Sequence, residues 1–116
     1  MLNKVLGVVC VLILVCVLFI GGAQPIAVGL FEAPMDKGVH MMYYALITFC
    51  LGRLLRLKPY LSFYIALSIG IADEIHQFYL PGRTPDVLDL LADTMGIILC
   101  TLFNYITRKP WANTLL

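Results

Sequence analysis

The chain has 116 residues, of which 61% are hydrophobic and only 13% charged, with a mean hydropathy of +0.93 and a formal net charge of +1. Soluble domains carry about 25% charged residues, so a water-soluble globular fold is excluded and nucleic acid is not expected as a partner. The composition predicts an integral membrane protein, all-α, forming a single domain over 1–116 with no room for a separate soluble unit.

Apolar runs occur at 5–22, 40–55, 60–80 and 87–106, each near the roughly 20 residues that a bilayer requires. They predict a bundle of four transmembrane helices at about 5–22, 34–56, 60–80 and 85–107. The first run follows Lys4 and ends in the small residues Gly21, Gly22 and Ala23, as a signal peptide would. It exceeds the roughly 7 to 15 residues of a signal h-region, and a retained span is expected instead.

Pro34 opens the second helix with Asp36 in its first turn. Pro81-Gly82 carries the signal of a type II turn between the third and fourth spans. Thr84 then reads as the N-cap of the fourth helix, Pro85 as its first residue and Asp86 as an acid complementing the helix dipole.

Basic residues set the orientation. With the N-terminus inside, Lys4, Arg53, Arg56, Lys58, Arg108 and Lys109 are cytoplasmic, leaving Lys37 and Arg83 outside, and this excess predicts N-in and C-in. All seven acids, Glu32, Asp36, Asp73, Glu74, Asp86, Asp89 and Asp93, fall on the outer side. The positive-inside rule says little about acids, so this polarity is a separate signal of a carboxylate-rich site facing away from the cytoplasm.

Helical rise converts spacing into depth. Glu74 lies about 9 Å below Leu80, Asp89 and Asp93 about 6 and 12 Å below Pro85, and His40 and Tyr44 about 6 and 12 Å below Asp36. Three helices therefore present polar groups to one layer. Asp86, Asp89 and Asp93 share a stripe, as do Lys37, His40 and Tyr44, whereas Asp73 shares a face with His76 and Gln77. Glu74 and His76, two apart, point to nearly opposite sides, which separates this segment from the zinc motif His-Glu-x-x-His.

Plain structural roles are also available. Asp36 and Asp86 complement helix dipoles, Arg83 neutralises acids in a solvated turn, and Tyr43, Tyr44, Tyr60, Tyr64 and Tyr79 fit an interfacial aromatic belt. Cys10, Cys16, Cys50 and Cys100 lie in apolar runs without the close pairing of metal or redox motifs and read as reduced packing residues. Glu74 and Asp93 lie past the first turn, where an unpaired charge costs about 2.5 to 3.5 kcal/mol, and intramembrane ionisable residues mark sites.

Asp36-Lys37-x-x-His40, Glu74-x-x-Gln77, Pro81-Gly82-Arg83, Asp89 and Asp93-x-x-Gly96, in this order among three apolar segments, resemble the signature of the VanZ-like family. The resemblance implies a small polytopic protein of the bacterial cytoplasmic membrane. The family takes its name from a member associated with resistance to teicoplanin, a lipoglycopeptide antibiotic. The position of Asp93 is commonly asparagine in the family, which argues against an obligate acid or metal ligand there.

The expected ligand-binding residues are Asp36, Lys37, His40, Tyr44, Glu74, Gln77, Arg83, Asp89 and Asp93. They form an outer polar pocket for a membrane lipid head group, a lipid-linked envelope precursor or a lipoglycopeptide. Arg83 would contact an anionic group, and the acids would orient Arg83 or bind amines and hydroxyls of the ligand. The alternative is an enzyme acting on a lipid-linked substrate with Glu74 as general acid or base. No nucleophile motif supports it, and no cofactor or metal is expected, because a mixed cluster such as Asp36, His40, Glu74 and Asp89 arises readily in polar pockets. A transporter is disfavoured, since no inner-half site matches the outer one and four short helices leave little room for alternating access unless the chain forms a homo-oligomer.

Overall fold

The computed structural model describes residues 1–108, so Lys109 and the tail 111–116 lie outside the described residues. Within them the chain is all-α. Helix α1 (Leu2–Cys16) continues through a π-helical turn, Val17–Gly21, and α2 (Met35–Phe49) does the same through Cys50–Leu54. Helices α3 (Pro59–Phe78) and α4 (Val87–Thr107) complete the bundle, and a 3-10 turn at Pro25–Ala27 interrupts the long α1–α2 connection.

Two of these segments, Leu2–Gly21 and Val87–Thr107, are long and apolar enough to cross a membrane. The bundle is also inverted relative to a soluble protein. Leu12, Ile20, Met42, Leu46, Ile71, Ile75, Leu91, Met95 and Leu99 point outward, whereas Thr48, Ser62, Asp73, Gln77, Asp89, Asp93 and Asn104 are buried. Such a distribution suits a hydrocarbon solvent, in which apolar side chains need no shelter and polar ones must find partners inside.

Helices α2 and α4 form the central pair. Lys37 meets Asp89, His40 meets Asp93 and Arg53 meets Asn104, so the two helices run parallel in constant register. Their backbones touch closely at Gly96, where a Cβ would stand 2.1 Å from the Met41 carbonyl oxygen. Small residues permit this approach, which membrane helices use in place of a hydrophobic driving force. Helices α1 and α3 run the opposite way and flank the pair. Tyr43 Oη donates to the Leu14 carbonyl across α1 at 2.6 Å, and the small core is Tyr44, Ile47, Leu51, Ala66 and Ile97.

Several sequence expectations shift. The N-cap of α4 is Asp86, not Thr84, and Pro85 precedes the helix: the Asp86 side chain accepts the Leu88 N–H at 2.9 Å while its backbone is extended. Tyr44 is fully buried and Tyr43 partly so, because their hydroxyls bond inside the bundle, and neither belongs to an aromatic belt. Tyr60, Tyr64 and Tyr79 are exposed. The Pro81-Gly82 turn forms as expected, with Gly82 at φ +74° and the Arg83 N–H donating to the Leu80 carbonyl at 3.2 Å. The four cysteines are unpaired, with Cys50 and Cys100 buried.

At the far end from the acids, Arg53 bonds Asn104 at 3.0 Å and Thr107, and Arg108 donates to the carbonyls of Gly52 and Leu57 at 2.9 and 2.8 Å. The Arg108 guanidinium satisfies carbonyls in and just beyond the π-helical turn that ends the second helix, where cations are favoured by the helix dipole.

Candidate functional site

The acids and their partners form layers stepping down between α2, α3 and α4. In the outermost layer the Lys37 ammonium sits among three carboxylates, 3.0 Å from Asp36 and 2.8 Å from Asp86, with Asp89 in direct contact. Sequence neighbours in the first turn of α2 meet the cap and first turn of α4 because the two helices start at the same level. The Lys37 ammonium and the Leu88 N–H together hold the Asp86 carboxyl below the usual carboxylate range.

One turn deeper, His40 Nδ1 lies 2.8 Å from Asp93 Oδ1, and Nε2 is 3.8 Å from Asp89 Oδ2. An ionised carboxylate only accepts, so Nδ1–H is the donor. Deeper again, the Tyr44 hydroxyl donates to Asp73 Oδ2 at 3.4 Å, and Gln77 Nε2 donates to the same oxygen at 3.2 Å. The expected meeting of three helices in one polar region is therefore present.

Two expected members stand differently. Glu74 Oε2 accepts the Asp86 backbone N–H at 2.9 Å, so this carboxylate clips the α3–α4 connection to α3. Arg83 makes no ion pair within 4.0 Å among the described residues; its guanidinium donates to the Gly22 carbonyl at 3.1 Å and ties the α3–α4 turn to the end of α1. The His76 ring packs against Phe19, with centroids 5.1 Å apart and the planes tilted by 50°.

A cavity of about 440 Å³ opens beside these layers. Asp36, His40, Tyr43, Tyr44, Arg83 and Asp89 form its polar wall, while Val17, Leu18, Ile26, Ala27, Leu30, Phe31 and Val39 form an apolar one. A smaller recess of about 70 Å³, lined by Asp73, His76, Gln77 and Leu80, shares Leu18, Gly22, His40 and Arg83 with it. Glu74 and Asp93 line neither, and Lys37 is likewise outside both.

The expected ligand-binding set leaves out two contributors. Asp73, placed on one face with Gln77 by its i, i+4 spacing, is 3% exposed and is the carboxylate that Tyr44 and Gln77 address. The apolar wall comes from α1 and the 22–34 connection, and no local pattern tells which side of the bundle that connection covers.

Several polar atoms of the cavity-lining residues are buried without a hydrogen-bond partner, namely Asp36 Oδ1, Arg83 Nε and His76 Nδ1. No group of three or more His, Cys, Asp or Glu side chains among the described residues has the geometry to hold a metal ion. The arrangement offers hydrogen-bond donors, acceptors and an apolar surface to a molecule that has both polar and apolar parts.

A family model described as VanZ/LLP1 matches residues 6–108, nearly the whole chain. No curated protein and no solved structure matches it.

Proposed function

Because the chain belongs to the VanZ/LLP1 family, we propose that it is a multi-pass protein of the bacterial cytoplasmic membrane. Its four helices span the bilayer with both termini inside, as a single unit over 1–116. The cavity beneath its outer surface binds the head group of a membrane lipid or a lipid-linked envelope precursor. Through this pocket would run any role in resistance to glycopeptides such as teicoplanin, which the family resemblance suggests.

The observation that carries the reading is the cavity lined both by Arg83, which has no carboxylate partner within 4.0 Å among the described residues, and by apolar side chains of α1 and the 22–34 connection. Its volume falls within the roughly 300–1,000 Å³ of small-molecule sites. A guanidinium unpaired by acids suits phosphate or carboxylate, and the apolar wall suits the first part of a lipid chain. The location of Arg53, Arg56, Lys58 and Arg108 at the opposite end supports the N-in, C-in orientation.

Native mass spectrometry of the full chain released from detergent tests the proposal. The native protein is expected to retain a phospholipid, and Arg83→Ala to lose it while still inserting in the membrane. Equal retention by both would remove the pocket as the binding site. Lipid extracts from cells with and without the protein are expected to be chemically alike; a changed profile would favour the enzymatic alternative over binding.

A further inference from the structure

The cavity holds an unpartnered acceptor as well as an unpartnered donor. Asp36 gives one carboxylate oxygen to Lys37 at 3.0 Å, but its other oxygen, Oδ1, is buried without a hydrogen-bond partner. Arg83 gives one nitrogen to the Gly22 carbonyl, and its Nε is buried without a partner. Both residues line the same 440 Å³ space. Buried groups of this kind are costly unless something completes their hydrogen bonds.

The charge balance of the surroundings points the same way. Six acids, Asp36, Asp73, Glu74, Asp86, Asp89 and Asp93, gather at this end of the bundle. The lysine and arginine partners there are Lys37 and Arg83, with His40 and His76 beside them. A purely anionic ligand would meet Arg83 favourably and the acids unfavourably. A ligand that brings its own cation satisfies both.

Resting on the head-group reading above, we infer that the ligand is a zwitterionic amphiphile whose phosphate bonds Arg83 and whose primary ammonium donates to Asp36. The apolar wall of Leu18, Ile26, Leu30 and Phe31 accommodates the adjoining chain. Ile26, Leu30 and Phe31 belong to a connection without a charged residue between Gly22 and Phe31, and they are 82%, 62% and 46% exposed. Such a surface is suited to the hydrocarbon boundary, so the aminophosphate is that of a membrane lipid rather than of a soluble metabolite.

The test titrates the purified full chain in dodecyl maltoside with dihexanoyl phosphatidylethanolamine, phosphatidylglycerol and phosphatidylcholine, and with soluble O-phosphoethanolamine. All carry a phosphate, but only the first and last carry a primary ammonium. Phosphatidylethanolamine is expected to bind about tenfold more tightly than the other two lipids and than O-phosphoethanolamine, the scale of one charge-assisted hydrogen bond or of an unused apolar wall. Asp36→Asn is expected to remove that preference, whereas Arg83→Gln weakens all three lipids.

Equal binding of the three lipids by the native chain would overturn the ammonium contact while leaving the head-group pocket intact. Undiminished lipid binding by Arg83→Gln would overturn the pocket itself. O-phosphoethanolamine binding as tightly as the lipid would overturn the lipid source. The native-chain ligand series decides the ammonium contact even where Asp36→Asn fails to fold.

Discussion

His40 Nδ1 donates to Asp93 Oδ1 at 2.8 Å, joining α2 to α4 through a carboxylate that has no exposed surface. The pair makes His40 the close partner of a buried acid, and loss of either partner is not equivalent. Asp93→Asn keeps an acceptor oxygen for the imidazole and is expected to cost no more than about 1.5 kcal/mol. His40→Ala strands the carboxylate in the bundle and is expected to cost about 3–5 kcal/mol. Unfolding of both variants in detergent measures the difference, and a His40→Ala protein as stable as Asp93→Asn would dismiss the pair as a structural tie.

Glycines in the central helix pair are expected to respond in opposite directions. A Cβ at Gly96 would stand 2.1 Å from the Met41 carbonyl oxygen, so Gly96→Ala must push α2 and α4 apart, at about 1–3 kcal/mol. Nothing lies within 4 Å of a Cβ at Gly38, which sits in the first turns of α2. Gly38→Ala is therefore expected to stabilise the helix by up to about 1 kcal/mol. Thermal unfolding of the two variants in the same detergent supplies the comparison; a shift of the same sign in both would count against the packing account.

Much of the polar layer could be read from spacing because helical periodicity is local. Asp86, Asp89 and Asp93 on one stripe and Lys37 and His40 on another meet once α2 and α4 lie side by side, and Lys37–Asp89 and His40–Asp93 result. The remaining site depends on tertiary contacts that periodicity does not encode. Arg83 bonds the Gly22 carbonyl, on a helix far away in sequence, and Tyr44 turns inward to Asp73 although tyrosine is equally at home at a membrane surface. The cap moved from Thr84 to Asp86 because Thr and Asp are both good caps, and the Glu74 contact to the Asp86 N–H selects between them.

Asp86 should make stability pH-dependent in the acidic range. Its carboxyl is held below the ordinary value by the Lys37 ammonium and the Leu88 N–H. A depressed carboxylate contributes stability above its unfolded value of about 3.9, and that contribution disappears as pH falls through the lower folded value. Asp86→Asn retains a capping oxygen but not the charge. The stability gap between the native chain and this variant is thus expected to be constant from about pH 7 to pH 5 and to close below about pH 4. A gap that persists unchanged to pH 2 would show that Lys37 does not hold the carboxylate ionised.

Glu74 distinguishes a clip from an acid–base group. Its Oε2 accepts the Asp86 N–H at 2.9 Å, and the side chain lines neither cavity. As a clip, Glu74→Gln supplies an amide oxygen in the same place and is expected to keep both stability and lipid retention. Glu74→Ala leaves the Asp86 N–H without its acceptor and is expected to lose about 1–3 kcal/mol, with lipid retention falling as the 79–86 connection loosens. A general acid or base fails in both variants alike, since an amide cannot exchange the proton. Unfolding in detergent, native mass spectrometry of retained lipid and chemical analysis of cellular lipid extracts separate the cases: a lipid profile altered by the native chain and restored in the Gln and Ala variants alike at unchanged stability would return Glu74 to the chemistry, whereas loss of stability and of retained lipid in Ala alone places it in the frame that carries Arg83 to the pocket.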